Sequence, residues 1–244
     1  MRVLWLAFVL ALCAPSLLAQ GGFDWSSGER GEPSPFFLGV HAGVVIPRGE
    51  FSSRVDPSFG LAGHVIYGMD PAGVIGLRFD GGYSTYGRER FLTPLSSAIG
   101  GRILVDVVTS NSVSFLEVGP HLMAPVGRVR PYLNTAIGVG YFSTTSSIRG
   151  LDDWRGDDRT FSTRQHSDFA LALGGGAGMF IPVRPGPLPV FIDLGARYHD
   201  FGEAEYLREG SIRDHADGTI SFTPIRSEVR MWMVYAGASF RLPK

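Results

Sequence analysis

The chain has 244 residues, of which 44% are hydrophobic and only 18% charged, with 33 Gly, 16 Pro and a net charge of -1. That length suits a single domain, and the near-neutral charge excludes the basic footprint expected of a nucleic-acid binder. Cys13 is the only cysteine, so beyond that position the fold must close by packing and hydrogen bonding without disulfides.

Residues 1–20, MRVLWLAFVLALCAPSLLAQ, place Arg2 ahead of an apolar run, followed by Pro15, Ser16 and the small Ala19. This is the layout of a secretory signal peptide cleaved near Ala19 or Gln20. The apolar core is shorter than the ~20 residues a spanning helix needs. Leu12 before Cys13 departs from the small residue that a lipoprotein signal carries there. The expected division is a signal peptide over 1–19, a short periplasmic segment over 20–34 and a barrel domain over 35–244.

From residue 36 onward the chain alternates with period two, the signature of strands. In FFLGVHAGVVIP (36–47), Leu38, Val40, Ala42, Val44 and Ile46 share one parity, and Gly39, His41 and Gly43 the other. FGLAGHVIYGM (59–69) sets Phe59, Leu61, Val65 and Tyr67 against Gly60, Ala62 and His64. VIGLRFDGGYSTYG (74–87) is the sharpest case, with Ile75, Leu77, Phe79 and Tyr83 opposite Arg78, Asp80, Gly82 and Ser84. SFLEVGPHLMAP (114–125) opposes Leu116, Val118 and Leu122 to Glu117, Gly119 and His121. RPYLNTAIGVGYFS (130–143), FALALGGGAGMFIP (169–182), VFIDLGARYHD (190–200) and MWMVYAGASFRL (231–242) continue the pattern and bring the strand count to eight.

The connectors alternate in length. Short ones fall at 69–73, 125–128 and 182–189, where Pro and Gly supply turn geometry, and long polar ones at 48–58, 88–113, 143–168 and 201–230. No stretch beyond the first twenty residues is long and apolar enough for a membrane helix, so any spanning structure must be made of strands. In a soluble barrel or sandwich the apolar parity would face inward, and the other parity would need the Lys, Glu, Ser and Thr of a solvated surface. It carries Gly and Ala with isolated charges instead. The expected fold is therefore all-β: an eight-stranded antiparallel up-and-down transmembrane β-barrel with short periplasmic turns and long extracellular loops.

That fold assigns the second parity to the lumen, which in an eight-stranded barrel is only wide enough to be filled by side chains. Arg78, Asp80, Glu117, Asp193, Arg197 and His199 share this inward parity. Buried charges must be paired, so these six are expected to form a structural polar network that plugs the barrel. Tyr67, Tyr83, Tyr141, Tyr198 and Trp232 lie near the ends of apolar runs, where interfacial girdles are expected.

Catalytic chemistry is weakly represented. His199 with Asp200, Glu203 and Glu205 is the nearest approach to a lipid hydrolase, with Ser84 or Ser211 as remote nucleophile candidates. The expectation is no enzyme, no catalytic residue, no cofactor and no metal. LDDWRGDDR (151–159) holds four aspartates, but its spacing matches no calcium loop and two arginines intervene. AspGly at 217–218, followed by Ile220, Phe222 and Ile225, predicts a hairpin above the last two strands. ILVDVVTSNSV (103–113) reads as a similar ribbon, and together they predict an ordered rim able to meet an extracellular ligand.

The blocks VGPHLMAPVGRVRPYLNTAIGVGYF (118–142) and FIDLGARYHDFG (191–202), with the final ASF-type strand, resemble the small outer-membrane β-barrel proteins of Gram-negative bacteria. That superfamily includes the OmpA, OmpX, OmpW and opacity-protein barrels. The resemblance implies signal-directed export to the cell outer membrane, with outer-membrane lipid and the barrel assembly machinery as partners. It implies no single activity. The leading expectation is a structural or surface-interaction role. The alternatives are a carrier for a small hydrophobic solute, admitted through the wall at Leu171 to Gly178 and held by Ala170, Ala172, Gly174 and Phe180, and, less favoured, an acyl hydrolase.

Overall fold

A computed structural model of the chain describes residues 34–243 except 71, 95–103, 126, 151–159, 187, 207–211, 215–219 and 223–224. The expected signal peptide and the LDDWRGDDR segment lie outside the described residues. Eight strands close into one barrel in the order β1-β2-β3-β4-β5-β6-β7-β10 and back to β1, every neighbour antiparallel. They are β1 (Phe36–Arg48), β2 (Ser58–Gly68), β3 (Ile75–Pro94), β4 (Leu104–Met123), β5 (Arg130–Gly150), β6 (Thr160–Arg184), β7 (Val190–Tyr206) and β10 (Ile225–Arg241). Two short strands, β8 (Ile212–Asp214) and β9 (Ile220–Phe222), pair with each other as a separate ribbon. They flank the AspGly dipeptide but stand apart from the barrel ladder instead of extending it. No described helix is long and apolar enough to cross a membrane.

The alternation becomes an inside and an outside. Phe37, His41 and Val45 of β1 are buried in the lumen, while Leu38, Val40 and Val44 are exposed around the circumference. The same division runs around the barrel: Leu61, Phe79, Leu116, Ile137, Leu171, Ile192 and Val234 all stand exposed on the outer surface. Over this band no charged residue occupies the outward parity on any of the eight strands. Closure leaves no unpaired sheet edge, so the barrel's exterior is all side chain.

The exterior band has a defined height. Phe59 to Tyr67 on β2, Ile75 to Tyr83 on β3, Leu133 to Tyr141 on β5 and Trp232 to Phe240 on β10 each span nine residues. Tilted transmembrane strands need about 9–11. Outer aromatics gather at the band's margins: Phe36 with Tyr67 at 5.2 Å at the turn end, and Tyr141 with Phe169 at 4.7 Å and Tyr198 with Trp232 at 5.2 Å at the loop end.

Six strands run into the segments that the sequence pattern places in long connectors: β3 through 88–94, β4 over 104–113, β5 through 143–150, β6 over 160–168, β7 through 201–206 and β10 from 225, of which 103–113 reads as a ribbon in the sequence. These segments carry β-branched or aromatic residues that favour strands, such as Phe91, Val107, Thr144 and Thr163. They lose the apolar alternation that marks the strands elsewhere.

Candidate functional site in the barrel lumen

The lumen is filled in three layers. At the turn end, Phe37, Ile66, Met123, Tyr132, Phe180 and Phe191 pack together, with Phe180 and Phe191 centroids 5.9 Å apart. Arg241 lies over the Phe37 ring at 5.2 Å and donates to the Ser34 carbonyl at 2.8 Å, which closes this end. At the loop end, Phe115, Phe142, Phe201, Met231 and Met233 form a second apolar layer. Its cover comes from the β1–β2 connection, where the 3-10 turn Phe51–Ser53 buries Phe51 against Tyr86 at 5.5 Å.

Between these layers lies a polar midsection. Arg78 Nε donates to both Asp80 oxygens, at 2.9 and 3.0 Å. Across the lumen, Arg197 donates from Nη1 to Asp80 Oδ2 at 2.7 Å and to Asn134 Oδ1 at 3.1 Å. Its Nη2 and Nε both reach Glu117 Oε2, at 2.7 and 3.1 Å. Glu117 Oε1 meets His199 Nδ1 at 2.9 Å. The chain of contacts thus runs Arg78, Asp80, Arg197, Glu117, His199 and draws on β3, β4 and β7.

Asp193 sits differently. Its Oδ1 accepts from the Tyr132 hydroxyl at 2.6 Å, and the Tyr132 and Tyr235 hydroxyls are 2.7 Å apart. Among the described residues no arginine bonds it, and its nearest basic neighbour is His64, with Nδ1 3.8 Å from Oδ2. His64 joins it to the rest, since His64 Nδ1 is 3.2 Å from Arg78 Nη2. All six of the charged or titratable residues singled out in the sequence are buried here.

Local sequence makes room for this arrangement. A Cβ on Gly39 would collide with the His64 ring and the Ser239 hydroxyl, so glycine on β1 is what allows His64 to lean toward β10. A Cβ on Gly174 would come within 2.8 Å of Glu117 Oε2, and one on Gly140 would strike the Phe201 ring. The small residues of β5 and β6 therefore face side chains from β4 and β7. Ala172 and Phe180 are fully buried, and Ala172 lies within the loop-end apolar layer.

Of the hydrolase candidates, Ser211 lies outside the described residues, and His199 and Ser84 are separated by their bonding. His199 faces Glu117, whereas the Ser84 hydroxyl is 3.0 Å from that of Ser58 and donates to the Phe59 carbonyl at 3.2 Å. Asp200 turns to the rim, where its Oδ2 accepts from Arg230 at 3.1 Å.

Sequence reasoning left His41, His64, Tyr132 and Tyr235 out of the network. Their parity marks them as inward, but only the register shows which inward residues meet across the lumen. It also missed both apolar layers, because Phe37, Phe142, Phe180, Phe191, Met231 and Met233 interrupt an inward parity otherwise read as small and polar.

No protein-family model matches the chain, and no curated protein matches its sequence. Solved structures do. Neisserial surface protein A shares 17% identity, covering 86% of this chain and 98% of its own, at a TM-score of 0.45. The major outer membrane protein of Thermus thermophilus shares 16% identity over 85% of this chain and 99% of its own, at 0.42. The attachment invasion locus protein of Yersinia pestis, solved with the heparin analogue sucrose octasulfate, shares 15% identity over 84% of this chain and 96% of its own, at 0.39. The chain is a closed eight-stranded antiparallel up-and-down barrel by its own strand register.

Proposed function

We propose that this chain is a non-enzymatic outer-membrane β-barrel, exported by its N-terminal signal and closed to solute flow, whose role is structural or lies in surface contacts at the loop end. The observation that carries the reading is the continuous exposed apolar band, nine residues deep and free of charge on the outward parity. Soluble monomers rarely expose a contiguous apolar patch beyond a few hundred Å², whereas a barrel in lipid requires one. Hydrocarbon solvates this band, and over its depth the charges are confined to the lumen, where Arg78 and Arg197 find carboxylates.

The packed lumen supports a plugged barrel over a solute carrier. Apolar layers lie above and below the ion pairs, Gly174 of the β6 wall faces Glu117, and Ala170 and Ala172 belong to the apolar cluster that holds Phe142 and Phe201. Membrane fractionation with heat-dependent gel mobility tests this reading. The expected result is an outer-membrane band that runs compact in SDS before boiling and slower after it. A soluble protein with one mobility under both conditions would overturn the reading.

A further inference from the structure

The midsection holds two guanidinium groups and three carboxylates, and the carboxylates are not served equally. Asp80 receives both arginines, and Glu117 receives Arg197 and His199. Asp193, fully buried, receives one neutral hydroxyl at Oδ1, and its Oδ2 has no hydrogen-bond partner among the described residues. A carboxylate taken out of water with no donor on one oxygen is costly. A positive charge beside Oδ2 would offset that cost.

Two imidazoles face the same spot. His41, 6% exposed, has an unpartnered Nδ1, and one ligating atom each from His41, His64 and Asp193 lies within 4.8 Å of the others. His64 is held by its other nitrogen, Nε2, 3.2 Å from the Ser239 hydroxyl. With that hydroxyl accepting from Nε2–H, Nδ1 carries the lone pair, which accepts from Arg78 Nη2 at 3.2 Å and lies 3.8 Å from Asp193 Oδ2. His41 is stacked on Tyr235 at 4.1 Å, and Tyr235 is bonded through Tyr132 to Asp193. Each of the three is thus oriented by a second group that is not itself a ligand, the arrangement that fixes metal-binding side chains.

We propose that His41, His64 and Asp193 form a buried site for one divalent transition-metal ion, zinc by preference. Two neutral imidazoles and a carboxylate suit Zn²⁺, and three protein ligands leave a fourth tetrahedral position for water. Zinc–ligand bonds of about 2.0–2.2 Å require the ligand atoms to close by roughly an ångström, a movement within reach of side-chain rotation at His41 and Asp193. On binding, Arg78 Nη2 releases His64 Nδ1 and remains anchored to Asp80 through Nε. The apolar layers at both ends bar entry to the closed barrel, so the ion is taken up as the barrel folds. It would then tie β1 and β2 to β7 across the lumen.

The test uses the untagged full chain, refolded into detergent with equimolar Zn²⁺ or Co²⁺ and passed over a chelating resin. The expected result is about one ion retained per chain, visible absorption of four-coordinate Co²⁺, and a heat-unfolding midpoint above that of chain refolded with chelator. His41→Gln and Asp193→Asn should each weaken retention by about tenfold or more, whereas His166→Gln and His215→Gln should retain the ion fully. Retention by wild type no greater than by the His41→Gln/Asp193→Asn double variant, or loss that tracks His166 or His215, would overturn the site. If the site variants fail to fold, proton spectra of Co²⁺-loaded wild type decide. Two shifted imidazole N–H resonances are expected, and fewer than two count against the proposal.

Discussion

The middle of the lumen and its two ends solve one packing problem with opposite chemistry. The ends are filled by rings and thioethers, such as Phe180 on Phe191 and Phe142 on Phe201, which need only shape. The middle is filled by Arg78, Asp80, Glu117 and Arg197, which need partners at fixed distances. Apolar ends shield those partners from water and so raise the cost of losing any one of them. Stability in the middle is therefore a matter of complementarity, and at the ends a matter of volume.

Arg197→Ala is the sharpest way to break that contrast. It strips bonds from Asp80, Glu117 and Asn134 at once and leaves buried negative charge uncompensated. The expected loss is about 4–5 kcal/mol, the upper end for breaking a buried pair, measured as the shift in the urea midpoint of the barrel in lipid vesicles. An unchanged midpoint would mean that water reaches the midsection and that the apolar layers do not seal it.

Phe201→Ala probes the loop-end layer, where Phe201 meets Phe142 edge-on at 5.4 Å. A cavity costing about 3 kcal/mol is expected by the same titration, with the mobility shift on heating retained because the ion pairs below remain intact. Loss of the shift would show that the layers and the midsection act as one unit.

The smallest effect belongs outside the lumen. Arg226 pairs with Glu203 at 3.0 Å, but both side chains are more than half exposed, so Arg226→Gln should move stability by less than about 0.5 kcal/mol. A larger change would place that pair in the same class as Arg197 and erase the distinction between rim and lumen.

Much of this architecture is legible in the sequence because apolar alternation survives wherever lipid or an equivalent apolar phase would meet one face. Leu61, Phe79, Ile137 and Leu171 mark the outside, and Arg78, Asp80, Glu117 and Arg197 mark the inside, without any structure. The upper halves of β3, β5 and β6 are hidden, since polar residues such as Thr144, bonded to Asn111 at 2.6 Å, leave no such contrast there, whereas 103–113 before β4 reads as a ribbon. Pairings across the lumen are hidden for a different reason. They depend on how far each strand is staggered against the next, which brings Arg197 to Asp80 across 117 residues of chain and separates Asp193 from both arginines. Period two reports the face of a residue and is silent about its height.

The seam between β1 and β10 carries a consequence for topology. Phe37 pairs with Arg241, and the Leu242 amide donates to the Phe36 carbonyl at 2.9 Å, so the first and last strands end side by side at the turn end. Closing that seam brings together parts of the chain about 200 residues apart, a high contact order that makes ring closure a late and slow event. It also makes the position of the seam arbitrary for the finished barrel. A short linker joining residue 243 to residue 34, with new ends cut in the turn at 69–74, would preserve every ladder, and a cyclic order of strands, more than the order of synthesis, is what this fold encodes.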